Sequence, residues 1–189
     1  MKNLLVIFLL LFSLLSTSQE YRIYSWDAVQ NASPDTILGI DLSRLKLDSI
    51  PLDLSKFKYV KYLDISKNKL SDLPDFISAM DSLEILNAGK NRFEVFPIVL
   101  IQLENLVTLV LNRNNFDRLP KEINFMTNLE YLDLWETPVQ SFPETFFELK
   151  NLKKLDIQGV KHSPAFNRAM KERLPDVELL IDPPCNCME

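Results

Sequence analysis

Five prolines stand at a fixed interval in this chain: Pro51, Pro74, Pro97, Pro120 and Pro143 each fall 23 residues after the last. Each follows a large apolar residue, namely Ile50, Leu73, Phe96, Leu119 and Phe142. A register starting at Ile37, Val60, Leu83, Leu106, Leu129 and Leu152 aligns the residues between them. Self-similarity at such a period is the mark of a stacked-repeat architecture. One unit of this size cannot bury its own apolar face, so stability must come from the units on either side.

The second unit reads V-K-Y-L-D-I-S-K-N-K-L-S-D-L-P-D-F-I-S-A-M-D-S. Its opening alternation is that of a strand, with Leu63 and Ile65 facing inward and Tyr62, Asp64 and Ser66 facing out. Leu86, Leu109, Leu111, Leu132, Leu134, Leu155 and Ile157 repeat the inward set, with Ala88 as its small member. Asn68, Asn91 and Asn114 follow where the chain leaves the strand, and a buried amide there must bond to the backbone of the turn. The proline opens the return segment, where no ladder N–H is needed. Leu54, Ile77, Leu100, Ile123 and Phe146 are expected to anchor that segment. Leu45 and Thr137-Pro138 stand where the Asn is expected, which predicts a broken or reshaped turn in the first and fifth units.

These units resemble the leucine-rich-repeat family in its L-x-x-L-x-L-x-x-N-x-L-x-x-L-P-x-x-I/L form. The likeness covers residues 37–160, with five full units and a partial sixth ending at Val160. It implies an α/β repeat fold: a horseshoe-like solenoid with a parallel concave β-sheet of about six strands, on which such proteins bind partners. Caps are expected at both ends. Residues 19–36 read as the first, with Ser25 capping a short helix through Trp26, Ala28 and Val29. Residues 161–182 read as the second. There Ser163-Pro164 opens a helix with Phe166, Ala169, Met170, Arg173 and Leu174 on one face. Pro175 stops it, and Val177 to Ile181 adds a strand. Residues 183–189 are left as a tail.

Residues 1–18 read separately. Met1-Lys2-Asn3, the apolar run Leu4 to Leu15 and the small residues Ser16-Thr17-Ser18 form the three-part pattern of a secretory signal peptide, cut near Ser18-Gln19. The run falls short of the roughly 20 residues that a membrane span needs. The expectation is a secreted or periplasmic protein with no stable membrane span. A buried first helix or an uncleaved anchor is the alternative.

The formal charge is −5, with no block of like charges, which argues against nucleic acid as a partner. The one histidine, His162, sits at a coil position usually filled by an apolar residue and reads as structural. Any Ser-His-Asp arrangement would rest on it alone. Glycine-rich phosphate loops and helical metalloprotease motifs do not occur in the sequence. Cys185 and Cys187 lie in the tail, where they read as incidental, as a local disulfide or as a weak metal pair, because two thiols do not complete a zinc site. Asn31-Ala32-Ser33 matches a glycosylation acceptor. No catalytic residue, cofactor or metal ligand is assigned.

Function is sought on the outward strand positions. One column runs Asp41, Asp64, Asn87, Val110, Asp133 and Asp156. Its carboxylates either clasp a cation or basic side chain, or are simply solvated. Beside it run Arg44, Lys67, Lys90 and Arg113, then Glu136, with Lys46, Lys69 and Arg92 two positions on. The two columns either neutralise each other or make a dipolar surface that orients a partner. Tyr62, Tyr131 and Trp135 combine area with a polar tip, as binding anchors do. The candidate face is therefore Tyr62, Asp64, Lys67, Lys90, Val110, Arg113, Tyr131, Asp133, Trp135, Glu136 and Asp156. Trp135, Tyr131 and Asp133 form its centre, with packing of Trp135 against the C-terminal cap as the alternative. Of Ile98, Val99 and Ile101 on the return of the third unit, at least one should be exposed.

The leading expectation is a monomeric, non-catalytic module that binds a protein, or a glycan, on its concave face. A self-assembling surface protein that uses the convex apolar residues is the second reading. A cytosolic signalling scaffold is the third, should residues 1–18 not be a signal peptide.

Overall fold

A computed structural model describes residues 22–160 and 162–183. The signal segment with its cut near Ser18-Gln19, and the Cys185 and Cys187 pair, lie outside the described residues. The strands are β1 (Ile23–Ser25), β2 (Gly39–Asp41), β3 (Tyr62–Asp64), β4 (Ile85–Asn87), β5 (Thr108–Val110), β6 (Tyr131–Asp133), β7 (Lys154–Asp156) and β8 (Glu178–Leu180). Helix α1 (Trp26–Val29) follows β1, and α2 (Pro164–Arg173) precedes β8. The strands form one sheet in chain order, every neighbouring pair parallel. Because the repeat length is constant, like pairs with like: Leu63 lies opposite Leu86, Leu86 opposite Leu109, and Leu109 opposite Leu132.

Each return segment begins at its proline and winds into a short 3-10 helix. These are Leu52–Lys56, Asp75–Ala79, Ile98–Gln102, Lys121–Phe125 and Glu144–Glu148. The proline's fixed φ suits that entry, and its carbonyl accepts the N–H three residues on, as from Ile77 to Pro74 at 3.0 Å. Leu54, Ile77, Leu100, Ile123 and Phe146 are fully buried at these segments, as expected. Together with the inward strand residues they form one continuous core along the solenoid. Full burial of each such side chain contributes about 1.5–3 kcal/mol.

The asparagines form a second, polar spine. The Asn91 amide donates to Ile65 O of the preceding coil at 3.1 Å and to Ala88 O of its own coil at 3.0 Å. Its oxygen accepts from Leu70 N at 3.1 Å. Asn68 and Asn114 repeat the same three bonds one coil away on either side. Thr137 keeps only the bond within its own coil, to Leu134 O at 2.6 Å, since a hydroxyl has one proton to give. Leu45, at the same position of the first unit, is exposed.

The caps differ in part from the sequence reading. The sheet has eight strands rather than about six, because both flanks add one. The C-terminal strand was expected; β1, pairing Ile23 with Gly39, was not. Ser25 does precede α1, but its side chain makes no capping bond there. Trp26 instead holds the cap, buried with its ring edge-on to Phe57 at 6.1 Å. At the other end Ser163 accepts from Phe166 N at 3.1 Å, so α2 is capped as predicted. His162 is buried and stacked on Phe166 at 4.2 Å, a structural position. Among the described residues no helix is long and apolar enough to cross a membrane.

Candidate functional site

The outward strand residues share one surface, but they do not share one role. In the acidic column each polar side chain closes its own strand. Asp41, Asp64, Asn87, Asp133 and Asp156 accept the N–H two residues on, at 2.7 to 3.1 Å, from Ser43, Ser66, Gly89, Trp135 and Gln158. This is the local side-chain turn that Asp and Asn favour. Asp64 also accepts from the Asn87 amide at 3.2 Å, and Asp133 from Asn112 at 2.7 Å. The expectation of solvated carboxylates therefore fails at Asp133, which is only 8% exposed. Burial raises the Asp64, Asp133 and Asp156 carboxyls above their ordinary range, against the opposing pull of these bonds. Ser66, expected to face out, is buried beyond the end of β3.

The next column turns the chain out of the sheet. Arg44, Lys67, Lys90, Arg113 and Glu136 all have left-handed backbones, with φ between 53° and 61°. Gly159 occupies the same position of the last unit at φ 85°. A side chain pays about 1–2 kcal/mol for this conformation. It persists because each N–H is committed to the next coil: Lys67 to Gly89 O at 2.9 Å, Lys90 to Asn112 O at 2.8 Å, Arg113 to Trp135 O at 2.9 Å. All five side chains are exposed. They form a rim along the edge where the strands end.

The fifth unit brings the aromatic candidates together with charge. The Arg113 guanidinium lies over the half-buried Trp135 ring, 4.3 Å from its centroid, and its Nε also pairs with Glu136. Trp135 is thus held by the preceding coil. Tyr131 is half-buried, with the Lys154 ammonium 5.8 Å from its ring centroid, and Lys154 bonds Glu178 at 2.8 Å. Burial, then the charges of Asp133 and Asp156, pushes the Tyr131 phenol well above the ordinary tyrosine range, so it stays a neutral donor. Tyr62 is raised in the same way, by burial first and then by Asp64 and Asp41.

Arg113, Tyr131, Asp133, Trp135, Glu136 and Asp156 are therefore gathered on three adjacent coils. Val110 is half-buried opposite Asp133 on β5. Lys90 lies on the coil next to that of Arg113, and Tyr62, Asp64 and Lys67 lie one coil further along the same face. Sequence reasoning missed Asn112, Lys154 and Glu178, which brace the cluster. It also missed a shallow groove at the opposite edge, lined by Lys61, Glu84, Asn105, Asn128, Glu130 and Asn151. There Asn105, Asn128 and Asn151 each donate at 2.8 Å to a carbonyl of the preceding coil. Their constant spacing was the available signal. On the convex side Ile98 is 52% exposed beside Val95 at 74%, while Val99 is buried and Ile101 half-buried.

Comparison with known proteins agrees with this architecture. No curated protein sequence matches the chain. A leucine-rich-repeat protein of Leptospira interrogans is 25% identical at a TM-score of 0.59, with 77% of this chain and 42% of that one covered. The internalin C2 of Listeria monocytogenes, 17% identical, gives 0.62 over 78% of this chain and 62% of its own. The plant peptide hormone receptor RGFR1, solved in complex with RGF2, is 25% identical at 0.58, covering 78% of this chain and 25% of the receptor. The chain spans less than two thirds of each of these proteins. A family model described as a leucine-rich repeat region matches residues 40–176, and the chain belongs to the leucine-rich-repeat family.

Proposed function

We propose that this chain is a non-catalytic binding module, exported by its amino-terminal segment, that recognises a protein through its concave sheet. The observation that carries the reading is the cluster of Trp135, Arg113 and Tyr131. A half-buried indole and a half-buried phenol are fixed in place by charged neighbours on a rigid parallel sheet. Such residues present large contact area with little rotamer freedom left to lose. The plant receptor with its bound RGF2 supports a peptide or protein partner in preference to a glycan.

Capture of a partner from the native extracellular milieu, by the full chain and by Trp135→Ala and Tyr131→Ala, tests the proposal. The variants should lose the partner that wild type retains. Equal capture by all three would move the site elsewhere. The second reading, self-assembly, is favoured only by Val95 and Ile98 on the convex side, and sedimentation at micromolar concentration decides it.

A further inference from the structure

The rim of left-handed residues gathers unpaired charge of one sign. Some cations elsewhere are matched, such as Lys61 with Glu84 at 2.7 Å, Lys153 with Glu130 at 2.7 Å and Arg173 with Glu144 at 2.6 Å. Lys58, Lys150, Arg168 and Lys171 stand outside any ion pair among the described residues but are not aligned along one edge of the sheet. Along the rim, Arg113 pairs with Glu136, which closes the column at that end. Among the described residues, no carboxylate comes within ion-pair distance of Arg44, Lys67 or Lys90, nor of Lys46, Lys69 or Arg92 beside them. All six are exposed and belong to three consecutive coils.

That arrangement is unfavourable for the isolated chain on two counts. Neighbouring strands lie about 4.8 Å apart, so like charges stand side by side and repel. Arg44, Lys46, Lys67 and Lys90 also adopt positive φ, where glycine or asparagine would be less strained. The positive φ recurs at this position in every coil, Glu136 and Gly159 included, so the repulsion is what sets the basic stretch apart, and a surface awaiting an anionic partner would show it.

The width of the face narrows the partner's chemistry. Immediately beside the rim lie the carboxylates of Asp41 and Asp64 and the ring of Tyr62, on a chain whose formal charge is −5. A uniformly charged polyanion laid across this surface would meet the acidic column as well as the rim. An extended peptide does not have that difficulty, because alternate side chains point to opposite edges. Resting on the reading of the concave sheet as a protein-binding face, we infer that the rim Arg44–Lys67–Lys90, with Lys46, Lys69 and Arg92, docks an extended partner segment. That segment carries carboxylates on the edge facing the rim, and neutral or apolar residues on the edge facing Tyr62 and Ile85.

The probe is a labelled peptide of alternating Glu and Thr, titrated by fluorescence anisotropy into the full chain at several salt concentrations. Wild type should bind it, with affinity falling as salt rises. Lys67→Glu with Lys90→Glu should weaken binding about tenfold or more. Lys150→Glu with Lys171→Glu, which changes net charge equally at a distance, should leave it within about twofold. Lys67→Gln with Lys90→Gln should give an intermediate loss, and unchanged melting curves exclude misfolding as its cause. Failure of wild type to bind, or equal losses from the rim and distant pairs, overturns the inference. So does rim-dependent binding of heparin or oligothymidylate with none of the peptide. In each of these cases, capture that still depends on Trp135 would leave the broader binding role standing.

Discussion

Arg113 lies over the indole of Trp135, its guanidinium carbon 4.3 Å from the ring centroid, so an aromatic anchor of the concave face is set by the coil before it. The Arg113–Glu136 pair is part-exposed on both sides and adds little energy by itself. The stacking is the larger effect, about 0.5–1 kcal/mol at such a site. A double-mutant cycle over Arg113→Ala and Trp135→Ala, read by thermal unfolding, should return a coupling of about that size. Emission from Trp135 should also shift to the red in Arg113→Ala, since Trp26, the other tryptophan, is buried far away in the amino-terminal cap. No coupling and an unmoved spectrum would mean that Trp135 orients itself.

The asparagine spine makes a graded prediction. Removing the Asn91 amide leaves Leu70 N without that partner in a buried turn, while Ile65 O keeps its bond from Asn68 and Ala88 O its bond from Asn114. The orphaned buried donor costs about 1–3 kcal/mol and each carbonyl also loses one of its two bonds, so Asn91→Ala should lose about 2–3 kcal/mol in urea unfolding. Thr137→Val removes a single bond, to Leu134 O, and should lose only about 1 kcal/mol. Equal losses at the two positions would show that the inter-coil bonds contribute nothing.

How much of this was legible depends on whether a residue type implies its environment. The core was readable because Leu63, Leu86 and Leu109 pair in register, and a periodic sequence makes a periodic stack. The asparagine bonds followed from an amide that must be buried and satisfied. The left-handed rim was hidden, since Lys67 or Arg113 says nothing about φ. Only Gly159 at the same position carries that signal, and a Cβ there would come within 2.5 Å of Glu136 Cγ. The acidic column misled for a related reason. An Asp before a strand end looks like free charge, but Asp133 turns inward onto Trp135 N and Asn112. Strand β1 lies outside the period, and nothing in Ile23–Ser25 sets it apart from a loop.

The acidic column should therefore tolerate the loss of charge but not of the acceptor. Asn87 already makes the same turn bond, to Gly89 N at 3.1 Å. Asp133→Asn should keep the bond from Trp135 N and be neutral or slightly stabilising at pH 7, whereas Asp133→Ala should lose about 1–2 kcal/mol. The sign with pH follows from burial. A carboxyl raised in the folded state favours folding when protonated, so its contribution is fully present below the unfolded value of 3.8 and is lost as pH rises through the folded one. Wild type should gain stability relative to Asp133→Asn as pH is lowered toward that range. Melting curves of both proteins from pH 7 to 4 measure the difference.

His162 should act in the opposite sense. Burial against Phe166 lowers its imidazole below the ordinary value, and a hydrogen bond with the Ile157 backbone only partly offsets this. Above pH 6.5 the ring is neutral in both folded and unfolded chains and stability does not depend on it. As pH falls below 6.5 the unfolded chain takes up a proton that the folded ring resists, so stability declines until the folded value is reached. The loss belongs to the C-terminal cap, where His162 joins α2 to the last coil. His162→Phe keeps an aromatic ring for stacking on Phe166 and should flatten the melting temperature between pH 7.5 and 5 relative to wild type. Hydrogen exchange should show the acid-dependent opening of wild type at α2 and β8, with β3 to β5 unaffected. A parallel pH slope in His162→Phe would show that His162 is not its source.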